Sequence, residues 1–251
     1  KPKDALRELS TDRPDLTESP YTVDAGHVQW EIDLFNATYD RTVNQGESLT
    51  TDSRIWGGLN FKLGLLDQVD LQTIVPIHVD QRTKSSTPGQ SQRKKGTGDL
   101  TTRLKINLWG NDGGRTAMAI IPFVTFPTGA DQIGQERTTG GVVLPFAVEL
   151  KKGWSLGAQT EVDWVEDEGN GLDTQWFNTL TIGHAIVGNL AGYTEWAARM
   201  HLDSDQAWEG QWNVGLTYAI SSEIQLDGGC NFGITSSAPD ANPFLGLSMR
   251  F

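Results

Sequence analysis

The sequence predicts an all-β fold, a transmembrane antiparallel up-and-down barrel of about 12 strands with an extended amino-terminal segment. Three observations predict it. Segments of roughly ten residues alternate apolar and polar side chains with period two, which no helix does. The connections between them alternate strictly between short and long. The last segment is an apolar, alternating strand that ends at Phe251.

Composition agrees with this and excludes other classes. Mean hydropathy is -0.38, and no stretch approaches the ~20 apolar residues of a membrane helix. A transmembrane strand averages near neutral because half of its side chains face the lumen. The 28 Gly and 9 Trp suit tight turns, crowded interiors and membrane interfaces. The single Cys230 excludes an internal disulfide, and the net charge of -12 argues against a nucleic-acid partner. The chain begins at the polar Lys1, which is read as a mature or trimmed form of an exported protein.

The first domain is residues 1–26, where Pro14 and Pro20 favour an extended path. The barrel follows over 27–251, with strands near 27–39, 50–64, 69–80, 98–109, 115–127, 140–150, 154–165, 174–186, 190–200, 208–220, 223–234 and 243–251. In the third strand Val69, Leu71, Thr73, Val75, Ile77 and Val79 oppose Asp70, Gln72, His78 and Asp80. In the fourth, Leu100, Leu104, Ile106 and Leu108 oppose Thr101, Arg103, Lys105 and Asn107. In the seventh, Trp154, Leu156, Ala158, Val162 and Trp164 oppose Ser155, Gln159, Glu161 and Asp163. The strands at 115–127 and 174–186 alternate poorly, so their outward faces stay open. In the twelfth, Leu245, Leu247, Met249 and Phe251 share one face; a strand of this kind resembles the signal read by the outer-membrane insertion machinery.

Short turns fall at 65–68, 110–114, 151–153, 187–189 and 221–222, and longer polar loops around 40–49, 81–97, 128–139, 166–173, 201–207 and 235–242. Short turns facing the periplasm and long loops facing outside account for this sorting. Trp109, Trp154 and Tyr218 then lie at periplasmic strand ends, and Trp164, Trp176 and Trp212 towards outer ends, as two aromatic girdles.

Alternation also predicts the pore lining. Acids point inward at Glu31, Asp33, Asp52, Asp70, Asp80, Glu149, Glu161, Asp163, Glu195 and Asp227, and bases at Arg54, Lys62, Arg103, Lys105, Arg199 and Arg250. Neighbouring walls can pair these charges across the ladder. Arg250 is expected beside Glu31 or Asp33, where the last strand meets the first. Such a lumen is either a narrow polar pore for small solutes or a charge-filled interior without conduction. Asp12, Arg13, Asp15 and Glu18 are plug candidates; a tail packed under the barrel mouth is the alternative.

No catalytic constellation stands out. The four histidines, His27, His78, His184 and His201, have no Ser partner at neighbouring-strand spacing, so no enzyme activity is expected. The acidic loop 166–173 is rich in oxygen ligands but lacks calcium-loop spacing, so no metal and no cofactor is expected. Arg93, Lys94 and Lys95, in the longest loop, suit either a flexible charged tip or contact with lipopolysaccharide phosphates.

Thr11–Pro20 (TDRPDLTESP) followed by Tyr21–Gly26 (YTVDAG) resembles the opening motif of the outer-membrane transporter family of the MetA pathway of phenol degradation. Gly98–Leu100, Arg103, Lys105 and Asn107–Gly110, then Ile121–Val124 and Pro127–Gly129, fit the same family, while Asp24 stands where its members often carry Pro. The resemblance implies an outer-membrane barrel that passes small, including aromatic, compounds. The expected partners are outer-membrane lipid and lipopolysaccharide, small-molecule solutes and, during assembly, the insertion machinery.

Overall fold

The computed structural model describes residues 2, 5–44, 47–167 and 171–251. Among these, thirteen strands form one antiparallel sheet: β1 (Val28–Asn44), β2 (Glu47–Leu66), β3 (Val69–Ser85), β4 (Gln92–Gly96), β5 (Leu100–Trp109), β6 (Thr116–Phe126), β7 (Thr139–Glu149), β8 (Trp154–Glu166), β9 (Leu172–Val187), β10 (Leu190–His201), β11 (Glu209–Ser221), β12 (Ile224–Gly233) and β13 (Ala241–Arg250). Each strand pairs with its predecessor, except that β5 returns to β3. β1 pairs with β13 through Trp30 opposite Met249, so the sheet closes on itself. Closure pairs every strand in the membrane layer, where an open edge would leave backbone groups without partners.

The two shortest segments beside β3 are one stave interrupted. β3 meets β5 from Val69 opposite Ile106 to Ile74 opposite Thr101, and β4 from Val79 opposite Gly96, in one continuous register. The barrel therefore has twelve staves, as the alternation predicts. The interruption has a local cause. Pro76 on β3 has no N–H for the ladder. Its ring fills the space where a side chain at residue 98 would lie, so Gly98 fits, and the Gly98 N–H donates to the Pro76 carbonyl at 2.8 Å. Asp99 accepts instead from the N–H groups of Gly129 and Gln135, each at 2.7 Å, which ties the 128–135 loop to the break.

Burial runs opposite to that of a soluble β protein. Lys62, Lys105, Glu31, Asp70 and Glu195 are buried, while Trp109, Trp154, Trp164, Trp176, Trp212 and Tyr218 are all exposed on the outer surface. The indole N–H groups of Trp176 and Trp212 donate to the hydroxyls of Thr160 and Thr194, each at 2.8 Å. A ring that is apolar on its face and satisfied at its nitrogen suits the interface belt.

Two sets of expectations change. The loops predicted at 40–49 and 81–97 are largely strand. The β1–β2 ladder continues to Asn44 opposite Glu47, and the β2–β3 ladder to Leu49 opposite Ser85. Beyond the membrane layer neither face meets lipid, so the polar, Thr-rich ends show no alternation although Thr favours strands. The faces left open for 115–127 and 174–186 also resolve. Ala117, Ala119, Ile121 and Phe123 share the inward face of β6 by register with Arg103, and Phe177 sits inward on β9 opposite Glu161. Apolar residues on both faces erased the pattern.

Candidate functional site

The amino-terminal segment enters the lumen from the short-turn end. Its first part lies at the mouth, where Arg7 pairs with Asp24 at 2.9 Å and donates to the Asp67 carbonyl at 3.0 Å. Residues 10–18 then cross the interior at mid-height. The chain returns along β5 and β3: the Asn107 amide donates to the Pro20 carbonyl at 2.8 Å, and the Val23 N–H donates to Asp70 at 2.9 Å.

Each plug candidate meets the wall. Asp12 bridges Lys62 and Lys105, and Lys62 also pairs with Glu31. The Asp12 N–H donates to the Glu31 carboxylate at 3.1 Å. Arg13 spans Asp33 at 2.5 Å and Asp227 at 2.9 Å. Glu18 pairs with Arg103, and Asp15 lies beside Thr181 and Glu195. Charge-assisted bonds in a dry interior are about twice as strong as neutral ones, so these contacts fix the path of the segment.

Glu195 is anchored differently. It is buried and accepts from the N–H groups of Leu16 and Thr17 at 3.0 and 2.8 Å, the Thr17 hydroxyl at 2.6 Å and the Asn213 amide at 2.7 Å. Among the described residues four neutral donors hold this carboxylate and no cation pairs with it, which clamps the turn at residues 16–17.

Space for the segment comes from small wall residues. A side chain on Gly246 would overlap the Arg13 guanidinium. Gly246→Val should therefore displace Arg13 and cost about 1–3 kcal/mol as overpacking. The check is a lower unfolding midpoint in detergent together with faster proteolysis of residues 1–26 in the folded barrel.

Other predicted residues stand apart from the segment. Arg54 pairs with Asp52 at 2.8 Å, and Asp80 gathers Arg93 at 2.5 Å with Arg82 and Lys95 at 3.5 Å, all near the long-loop end. Glu161 accepts from Gln159 at 2.7 Å, and Asp163 is its neighbour two residues on. Arg199 lies over the Phe177 ring at 4.8 Å. Glu149 is exposed at the short-turn mouth, beside a cavity of about 540 Å³ between Arg7, Tyr21 and Arg250.

One expectation is overturned. Arg250 does not meet Glu31 or Asp33. It lies opposite Gln29 in the β1–β13 register and donates to Glu223 at 2.7 Å, with Asp24 at 3.6 Å. Glu31 and Asp33 are instead engaged by the segment and by Lys62. The Arg250 guanidinium holds the Glu223 carboxyl, in the β11–β12 turn, below the usual carboxylate range. Of the acidic loop 166–173, residues 168–170 lie outside the described residues; Asp173 pairs with His201 at 2.5 Å.

The neutral half of the site was only partly legible in the sequence. Gln29, Gln72, Asn107, Gln159 and Asn213 are buried on the inward face. The alternation already places Gln72, Asn107 and Gln159 there, and the same period would have found Gln29 and Asn213, which sit at the alternate positions of Glu31 and Glu195.

Among curated proteins no sequence matches. The fold is similar to that of an outer-membrane channel from Pseudomonas putida F1, at 15% identity and a TM-score of 0.68 over 96% of this chain and 100% of that one. It is also similar to the transport unit of the autotransporter AIDA-I from Escherichia coli, at 12% identity and a TM-score of 0.59 over 89% of this chain and 90% of that one. The NanC porin matches at 10% identity and a TM-score of 0.53 over 90% of this chain and 99% of that one. These neighbours share the outer-membrane barrel fold. The sequence pattern of the family described as "Putative MetA-pathway of phenol degradation" matches residues 11–251, and the chain belongs to that family.

Proposed function

We propose that the protein is a passive outer-membrane channel for small solutes, narrowed by its own amino-terminal segment. The observation that carries this reading is a polar lumen with space left beside the segment. A cavity of about 250 Å³ is bounded by Thr11, Pro14 and Asp15 on one side and by Ser155, Thr181, Tyr193 and Gln225 of the wall on the other. A polar wall lined by hydroxyls and amides replaces part of a solute's hydration without binding it tightly, as conduction requires. The pathway in the family's description suits small aromatic as well as small polar compounds. Pore-lining roles for the inward charges, and a plug role for Asp12, Arg13, Asp15 and Glu18, belong to this proposal.

Planar-bilayer recording tests it. Stable ohmic steps from properly inserted protein are expected, and their absence would favour the second reading, a non-conducting barrel. That reading draws on the same network, because Lys62, Lys105 and Asp12 are buried and mutually paired. On β4, Arg93, Lys94 and Lys95 stand near the long-loop end, where lipopolysaccharide phosphates would meet them. The closing strand β13 with Phe251 suits recognition by the insertion machinery.

A further inference from the structure

We propose that the outer face of β2, β3 and β4, just above the membrane layer, docks the phosphates of lipopolysaccharide through Arg82, Arg93 and Lys95, with Arg54 at their flank. The inference rests on the reading that this end of the barrel meets lipopolysaccharide, and it adds the face and the residues.

The alternation of the sequence places Asp52, Arg54 and Asp80 in the lumen; the strand register turns them outward. β1 carries one extra residue, Leu34, between Asp33 opposite Gly246 and Phe35 opposite Leu245, so the strand beyond it turns over. Asn36 then lies opposite Phe244, whose ring meets the Arg13 guanidinium inside the barrel. Asn242 donates to Asn36 and Thr38 from the same side. Asn36 and Thr38 therefore face the lumen, and Ala37 and Tyr39 face out. β2 turns over at Gly57, whose φ of 69° glycine adopts without strain. Partners across a ladder share a side. One outward row runs Ala37, Arg54, Asp80, Lys95, and the next runs Tyr39, Asp52, Arg82, Arg93. Below them Trp56 lies opposite His78, both exposed, with their rings 5.7 Å apart. The two charged rows stand about 7 and 13 Å along the strand from that aromatic pair, at the level of head groups.

Charge gives the occupant. Among the described residues this face of β1–β4 carries Arg41, Arg54, Arg82, Lys84, Arg93 and Lys95 against Asp52 and Asp80, in a chain of net charge -12. Asp80 serves three cations at once. Arg93 grips it with Nε at 2.8 Å and Nη2 at 2.5 Å, and Arg82 and Lys95 stand at 3.5 Å. One carboxylate orders the three side chains but cannot neutralise them, and among the described residues no other acid pairs with them. Asp52 neutralises Arg54 at 2.8 Å, and Asp240 reaches only the Arg41 N–H. Guanidinium groups held side by side match phosphate oxygens. Arg82, Arg93 and Lys95 are 41–49% exposed, so salt screens them beyond about 10 Å and a free anion is held weakly. A lipid anchored in the outer leaflet keeps its phosphates at this height, at high effective concentration.

The test is native mass spectrometry of the full chain in detergent with three probes: lipid A carrying both phosphates, the same lipid without them, and inorganic phosphate. The parent should hold the phosphorylated lipid about tenfold more tightly than the dephosphorylated one. D80N/R82Q/R93Q removes the shared carboxylate with two of its partners, so no acid is left unpaired, and it should bring that ratio towards one. D52N frees Arg54 and should tighten the phosphorylated lipid about threefold, a gain that misfolding cannot imitate. Should the triple variant fail to fold, D52N decides, and unchanged binding overturns the proposal. A parent that prefers the phosphorylated lipid beside a triple variant with the same preference overturns this face alone. A parent without the preference overturns the lipopolysaccharide reading as well. Inorganic phosphate bound as tightly as the lipid marks a free-anion site and overturns the proposal.

Discussion

Deletion of residues 1–25 should raise single-channel conductance about three- to tenfold while leaving the barrel folded, because it empties the mid-height cross-section of a twelve-stave lumen. The segment fills that section through Asp12, Arg13 and Glu18, whose partners lie on β1, β2, β5 and β12. The wall can absorb the loss. Lys62 keeps Glu31, and Lys105 faces Asp70 in the β3–β5 register. Water entering the emptied lumen screens what remains. Recordings of inserted, heat-modifiable protein check this, and an unchanged conductance would sink the plug role.

Asp12→Leu should destabilise the protein more than the deletion does, by about 3–5 kcal/mol, the cost of removing one partner from a buried ion pair. Asp12 serves two lysines, and both are nearly fully buried. In this variant the segment stays clamped by Arg13 and by Glu195, so water cannot enter to replace the lost carboxylate. Lys105 then keeps only Asp70, opposite it in the β3–β5 register, in a section still filled by the segment. Unfolding midpoints in detergent for the parent, D12L and the deletion check the order. A D12L protein as stable as the parent would show that water reaches the lysines, and the section is then not dry.

The staves are legible in the sequence because a lipid-facing wall forces period-two alternation, and lipid is present along most of each strand. The signal fades where that force is absent. Above the membrane the ends of β1, β2 and β3 are polar on both faces, and in β6 the inward Ala117, Ala119 and Ile121 are as apolar as the outward face. The inward charges were legible by the same period. Their partners were not, since a one-dimensional pattern states which way Arg250 points but not that Glu223 and Asp24 lie closer than Glu31. The contacts of the amino-terminal segment were the least legible. Arg13 meets Asp227 across 214 positions of chain, and no local rule reaches that far.

The reach of Arg13 also bears on the order of events in biogenesis. Asp33 belongs to β1 and Asp227 to β12, on the two sides of the seam made by β1 and β13. One guanidinium can grip both carboxylates only after the earliest and the latest strands have come together. The Arg13 clasp is thus a late event. It cannot guide the sheet to closure, but it can hold the finished seam shut.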